Sequence, residues 1–407
     1  MIATNCTKGD LATIEALKSE ARELLEGNIL SFWLSKMVDH EHGGFYGRMD
    51  GNGCLDANAE KGCVLNARIL WSFAAAYRVL GRQEYLEAAL RAKDYILQHF
   101  IDREHGGAYW SLDCQGQPKD MKKQSYAIGF VIYGMSELYR AAADREALDC
   151  AVSLFRKLEE HAYDRGNKGY IEALTHDWRP MEDMRLSEKD ENGSRTMNTH
   201  LHILEPYTNL YRVWKDPLLE RQLRGLIDIF TQHLFNPRTG HLDHFFNDQW
   251  QGRRDFESYG HDIEAVWLLV EALEVLGDRH LEEQTMPIVN RIAKAAEEGL
   301  QADGAMIYER NLTTGHVDAD CHWWVQCETV VGFLCQYQHS GDRGALERAL
   351  RCFQYIDRHL VDREQGEWYW SIHPDGSINR SDDKAGFWKC PYHNSRMCLE
   401  ILEREFS

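Results

Sequence analysis

No stretch of the 407 residues approaches the roughly 18 consecutive apolar residues that a membrane span needs. The first ten residues, Met1–Asp10, are polar and lack the apolar core of a secretory leader, so a cytoplasmic protein with no membrane partner is expected. Positive charge is scarce. The 46 basic residues against 65 acidic ones leave a formal charge of -19, which repels phosphate backbones and anionic lipid and argues against nucleic acid as a partner. Cysteine occurs eleven times but never as Cys-x-x-Cys, so neither a disulfide framework nor a thiolate zinc site is signalled, and reduced core thiols are expected. The chain also lacks a phosphate loop, a dinucleotide fingerprint and a His-Glu-x-x-His pair. Phosphoryl transfer, hydride transfer and zinc proteolysis thereby lose their usual signatures.

What is present is repetition. Asp39-His-Glu-His-Gly-Gly-Phe-Tyr46 returns as Asp102-Arg-Glu-His-Gly-Gly-Ala-Tyr109 and as Asp362-Arg-Glu-Gln-Gly-Glu-Trp-Tyr369, with weaker copies beginning at Asp164, Asn236 and Asp303. The six starts are 59 to 72 positions apart, a period that means stacked supersecondary units. Each unit holds a nearly all-apolar helix, such as Val325–Leu334, and a short break such as Gly341-Asp342. An amphipathic helix follows, as in Tyr85, Ala89, Ala92, Ile96 and Phe100. The first kind is shaped for an interior, the second for a water-facing rim.

The pattern predicts twelve helices. The first covers about 11–37 and the last 393–404. Between them come 65–80, 83–101, 126–141, 145–161, 198–213, 217–234, 262–276, 279–299, 324–340 and 343–360. Six helix pairs make an open superhelix or a closed ring. Closure is favoured because the inner helices are too apolar to line an exposed concave face. The expected fold is therefore all-α, an (α/α)6 barrel with short β-hairpins at the active-site end, as one domain over 1–407. The polar excursion from Thr175 to Arg195 is expected to lie over the barrel mouth.

In that architecture six inner helix N-termini converge on one end, and the residues there are unusual for a core. They are Arg68, Tyr126, Asn198 and His202, His261 and Glu264, Trp323, Trp324 and Glu328, then Trp388 and His393. At Ser258-Tyr-Gly-His-Asp-Ile-Glu-Ala265, His261 and Glu264 stand three apart on one helical face at the positive end of the helix dipole. Taken singly, each residue has a structural explanation. Arg68 could pair with Glu60 or Asp56, Trp323 and Trp324 could be core, His202 could bond a neighbouring carbonyl, and His393 could cap the last helix. Sharing one phase of the repeat is what core accidents would not do. Aromatic rings beside several hydrogen-bonding groups in an apolar cup describe a sugar pocket.

Three histidines, an arginine and two glutamates point to proton transfer, because imidazole both accepts and donates a proton near neutrality. Two such groups on opposite faces of a carbon next to a carbonyl would invert it through an enediolate, which a guanidinium and helix N-termini stabilise. No local spacing supports a metal site as the competing use of the histidines.

The segments NARILW, MNTHLH, SYGHDIEA, HWWVQCE and FWKCPYHN, in this order, resemble the N-acylglucosamine 2-epimerase superfamily and most closely its cellobiose 2-epimerase branch. The resemblance spans essentially the whole chain. It implies an (α/α)6 barrel and reversible epimerisation at carbon 2 of the reducing-end sugar of β-1,4-linked disaccharides, with no cofactor. Carried over by motif, His261 and His393 are the general acid/base pair, His202 assists ring opening and Arg68 holds the enediolate oxygens. Glu264 and Glu328 orient histidines or sugar hydroxyls, while Tyr126, Asn198, Trp324 and Trp388 bind and stack the sugars. Mannobiose 2-epimerase and an aldose–ketose isomerase are the nearest rivals. An inverting glycoside hydrolase and a sugar-binding protein are more distant ones. Self-association is left open, with a monomer favoured.

Overall fold

The computed structural model describes residues 7–187, 191–253 and 256–406. Among these residues twelve helical segments alternate between rim and interior. The first, α1, joins Lys8–Leu24, a π-helical turn Leu25–Leu30 and Ser31–Lys36. Then come α2 (Cys63–Leu80), α3 (Gln83–Tyr95), α4 (Ser125–Ala142), α5 (Arg145–Lys157), α6 (Met197–Val213) and α7 (Pro217–Ile229). The series closes with α8 (Tyr259–Leu276), α9 (Arg279–Ala296), α10 (Trp323–Ser340), α11 (Arg343–Tyr355) and α12 (Tyr392–Glu403).

The breaks between paired helices follow from cap chemistry. Gly277 and Gly341 end α8 and α10 in the left-handed region, where the missing Cβ removes the steric cost. Asp278 and Asp342 follow directly, and their carboxylates accept the first backbone N–H groups of α9 and α11. A Gly-Asp dipeptide thus stops one helix and starts the next. At the chain start, Thr7 and Asp10 exchange side-chain and backbone bonds as a capping box.

Closure is decided by which faces are apolar. From Cys63 to Ala76 every residue of α2 is buried, whereas α5 buries Ala147, Leu148, Ala151, Leu154 and Phe155 on a single stripe. The even-numbered helices form the inner ring: α2 packs on α4, α4 on α6, α6 on α8, α8 on α10, α10 on α12, and α12 back on α2. Each odd-numbered helix packs outside its partner, with α1 against α12. The fold is an (α/α)6 barrel. The inner helices cross closely where one carries glycine. A Cβ on Gly332 would lie 2.5 Å from Ile263 Cγ1 of α8, and one on Gly129 would lie 2.6 Å from the His202 carbonyl of α6. Gly332→Ala is therefore expected to lower the unfolding free energy by about 1–3 kcal/mol through overpacking, read as a shift of the urea midpoint at constant m-value.

The recurring Asp motif is a turn with a buried counter-ion. Asp39, Asp102 and Asp362 each use Oδ1 to accept two backbone N–H groups of the turn. Their Oδ2 atoms accept from Lys61 (2.7 Å), Lys123 (2.7 Å) and Lys384 (2.5 Å), all buried. Arg195 and Asp164 form the fourth version. Behind each turn an isolated antiparallel bridge pins the hairpin, at Val38–Phe45, Ile101–Ala108, Tyr163–Tyr170, Phe235–Leu242, Leu300–Met306 and Val361–Trp368. These hairpins return the chain to the N-termini of the inner helices, so those termini gather at one end.

The excursion from Thr175 to Arg195 is tied to that end, apart from residues 188–190, which lie outside the described residues. Gln124, just before α4, donates to the Met184 carbonyl at 3.2 Å, and Trp178 donates to the His105 carbonyl while stacking on His161. The ten cysteines among the described residues are free, and most are buried. Among those residues no helix is long and apolar enough to cross a membrane.

Candidate active site

Three glutamates and one arginine sit at the floor of the cup. Arg396, three residues after His393 and on the same face of α12, donates from Nη2 to Glu264 Oε1 (2.8 Å) and Glu328 Oε1 (2.7 Å). Its Nη1 donates to Glu205, which also accepts from the Tyr392 hydroxyl. The guanidinium lies over the rings of Trp267 and Tyr392, 4.7 and 4.2 Å from their centroids. A charge this buried persists only because carboxyl groups from α6, α8 and α10 surround it and accept its hydrogen bonds. Glu264, Glu328 and His393 come close enough to share a cation. Arg396, however, already joins the two carboxylates.

On this floor stand the histidines. His393 Nδ1 lies 2.7 Å from Glu328 Oε1, and His202 Nδ1 lies 3.0 Å from Glu205 Oε2. A carboxylate only accepts, so in each neutral imidazole Nδ1 carries the hydrogen and Nε2 presents a lone pair. Glu328 accepts once more, from Trp267 Nε1 at 2.8 Å, which fixes the carboxylate that orients His393. His261 is held differently, its Nδ1 being 2.8 Å from Ser258 Oγ. Trp324 stands between the two catalytic candidates, its ring centroid 4.8 Å from His261 and 5.7 Å from His393. Both imidazoles thus belong to one end of the barrel and one cup.

The opposite wall carries Arg68, whose Nη2 donates to the Tyr126 hydroxyl at 2.8 Å and whose guanidinium packs 4.2 Å from the Phe130 ring centroid. Tyr126 reaches His202 at 5.0 Å and Trp388 at 6.0 Å between ring centroids. Trp388 and Trp324 are partly exposed at the mouth, whereas Arg68, Tyr126, His202, Glu264 and Glu328 are buried below them. Asn198, one turn before His202 on α6, leaves Oδ1 buried without a partner.

Electrostatics keep the imidazoles neutral. Burial, then the neighbouring His244, His202 and His393, holds His261 well below the ordinary histidine range. Burial followed by the Arg68 and Arg396 guanidiniums does the same to His393. His202 is lowered by burial in spite of the counter-pull of Glu205. Glu264 moves the other way, pushed well above the carboxylate range by burial and then by the Glu328 charge.

Several structural explanations offered by the sequence do not hold. Glu60 pairs with Lys119 at 2.5 Å, not with Arg68, and Asp56 caps its own exposed turn at the Asn58 N–H. His202 bonds a carboxylate and not a carbonyl. The cap of α12 is Pro391, leaving the His393 side chain to Glu328. Trp323 does match the core explanation, being buried 4.5 Å from the Trp370 ring.

Sequence reasoning missed Arg396, Glu205, Tyr392, Trp267 and Ser258. Helical spacing offered the signal for two of them, since Glu205 and Arg396 each follow a site histidine by three residues. Also missed was His200, whose Nε2 accepts from the Tyr170 N–H at 2.9 Å and which anchors the hairpin of its own repeat.

The N-acylglucosamine 2-epimerase (GlcNAc 2-epimerase) family matches the chain over residues 44–396. A cellobiose 2-epimerase of Bacteroides fragilis is 59% identical over 388 residues, covering 95% of this chain and 99% of that protein. One from Ruminococcus albus is 40% identical, covering 95% and 98%. Among solved structures, that of cellobiose 2-epimerase from Bacillus thermoamylovorans superposes with a TM-score of 0.91 at 40% identity, covering 96% of this chain and 100% of that one.

Proposed function

Belonging as it does to the N-acylglucosamine 2-epimerase family, the chain is a carbohydrate epimerase of the isomerase class, and we propose that it inverts carbon 2 of the reducing-end sugar of a β-1,4-linked disaccharide, cellobiose foremost. One observation carries the residue assignment: the imidazoles of His261 and His393, both held below the ordinary histidine range by burial, flank Trp324 in a single cup. With the sugar open and carbon 1 a carbonyl, one imidazole takes the carbon 2 proton and leaves an enediolate. The other returns a proton to the opposite face. Arg68 is the cation placed for the enediolate oxygens, its aromatic surroundings keeping water from screening it. Trp324 and Trp388, at the mouth, supply faces for stacking the sugar rings.

The test is to offer cellobiose, mannobiose, mannose and N-acetylglucosamine in deuterated water and follow the products by NMR. The expected product is the carbon 2 epimer of cellobiose carrying deuterium at that carbon. A ketose would mean reprotonation at carbon 1, and free monosaccharides would mean hydrolysis. Either as the sole product overturns the assignment.

A further inference from the structure

Carbon 2 of a closed pyranose ring bears no acidic hydrogen, so the ring must open first, and opening needs a proton at the ring oxygen. Every imidazole in the cup is held neutral, so the first donor is not obvious. We propose, resting on the epimerase reading above, that Glu264 is the proton reserve for this step and acts through His202. Glu264 Oε1 is taken by Arg396, whereas Oε2 is buried without a hydrogen-bond partner and lies 3.9 Å from His202 Nε2, the lone-pair nitrogen. The far side of His202 is fixed by Glu205, so its ring cannot turn away without losing that bond. A buried carboxyl oxygen facing a bare imidazole nitrogen, with a guanidinium on its other oxygen, is arranged to give up a proton and remain as a stabilised carboxylate. Burial raises the Glu264 carboxyl and lowers the His202 imidazole, so both shifts favour the proton on Glu264.

The steps balance. The Glu264 Oε2–H bond breaks as Nε2–H forms on His202, leaving a carboxylate and an imidazolium. His202 then gives that proton to the ring oxygen as the bond from carbon 1 to the ring oxygen breaks, its electron pair going to oxygen. The hydroxyl on carbon 1 loses its proton to the neutral imidazole of one of the pair His261 and His393, and the O–H electron pair becomes the second bond of the carbonyl. That imidazolium is the donor which later protonates carbon 2, while its partner, still neutral, removes the carbon 2 proton. On closure the ring hydroxyl returns its proton through His202 to Glu264, and the second imidazolium protonates the carbonyl oxygen. All four groups end as they began, which explains how two neutral histidines can provide both an acid and a base. Glu264 is a positioning residue in this scheme, since its proton reaches the sugar only through His202.

Ring opening has its own readout, the interconversion of anomers. Freshly dissolved β-cellobiose is followed by NMR with the unsubstituted enzyme and with Glu264→Gln, which keeps the shape but has no acidic proton. The enzyme is expected to accelerate anomerisation, and Glu264→Gln to lose about 10²-fold or more of that acceleration, with KM little changed. In the unsubstituted enzyme, anomerisation should decline toward alkaline pH as Oε2 loses its proton. That limb should vanish in Glu264→Gln, which a purely structural role would not produce. The groups facing Glu264 are His202 and Glu205 on α6, Glu328 on α10, Tyr126 on α4, and His393, Arg396 and Tyr392 on α12. Anomerisation at the unsubstituted rate in Glu264→Gln overturns the proposal, as does an enzyme that never accelerates anomerisation. Should Glu264→Gln fail to fold by circular dichroism, His202→Gln removes the other half of the relay and decides the same question. Enzyme-dependent anomerisation without deuterium at carbon 2 would sink the epimerase assignment and leave this step standing.

Discussion

His393→Asn is expected to cut kcat by about 10²–10⁴-fold while KM and the circular dichroism spectrum stay close to those of the unsubstituted enzyme. Asparagine is chosen because its amide N–H can still donate to Glu328, the bond now made by His393 Nδ1 at 2.7 Å. The floor of the cup then keeps its hydrogen bonds, and only the second nitrogen is lost. An alanine would also leave a cavity and one fewer donor on a buried carboxylate, confusing chemistry with stability. His261→Ala should abolish turnover likewise, and full activity in either variant refutes the acid/base pairing. The pH profile offers an independent check. Because burial and the arginines hold His393 well below the ordinary range, its neutral form persists on acidification. The acid limb of kcat/KM should therefore lie below pH 6.5, the unperturbed histidine value, and a limb at or above that value would contradict a neutral pair.

Arg396→Met should produce the largest loss of stability, about 3–5 kcal/mol of unfolding free energy. Methionine fills comparable space between Trp267 and Tyr392 and preserves the apolar packing. What it removes is the cation on which Glu205, Glu264 and Glu328 converge. Three carboxyl groups from three helices would then share a dry site; Glu205, now held below the ordinary range in part by Arg396, would lose that pull and rise, and Glu264, already raised, would rise further. Stability of the variant is retained below the unfolded glutamate value near 4.3 and lost as pH rises through the raised folded values. Urea unfolding at pH 4 and at pH 7.5 should show a small deficit at the first and the full deficit at the second. Equal stability of variant and parent at pH 7.5 would mean that the carboxylates do not depend on Arg396.

Periodicity carried most of the fold. Inner helices such as α2 and α8 are apolar on nearly every face, and a helix of that kind has few environments in which water is kept off it. Their observed starts lie one to three residues before the expected ones, as at α8, which begins at Tyr259, because hydropathy marks where an apolar run begins and not where the first helical turn closes. Four of the rim helices, α3, α5, α7 and α11, end in π-helical turns, as at Ile96–Phe100 and Ile356–Leu360, which hydropathy cannot distinguish from α-helix.

For the site, phase within the repeat was the informative quantity. Arg68, Tyr126, His202, His261, Trp324 and His393 occupy one phase, and the barrel brings them to one end. The same phase could not separate His202 from His200, two residues apart, of which one joins the carboxylate floor and the other anchors a hairpin. Nor could it find the buried lysines that answer Asp39, Asp102 and Asp362, because a lysine in a polar connection resembles an exposed one until its partner turn folds over it.

By itself, then, the order of residues determined the helix inventory, the inner and outer roles and the end of the ring where the polar groups collect, since all three follow from local periodicity and chain direction. Tertiary structure alone decided the wiring. Whether Glu328 serves His393, whether Arg396 binds three glutamates at once, and which nitrogen of His393 is left bare depend on side chains from helices far apart in sequence meeting within hydrogen-bond distance. Such meetings are set by how the six inner helices pack and rotate against one another, which no local pattern encodes.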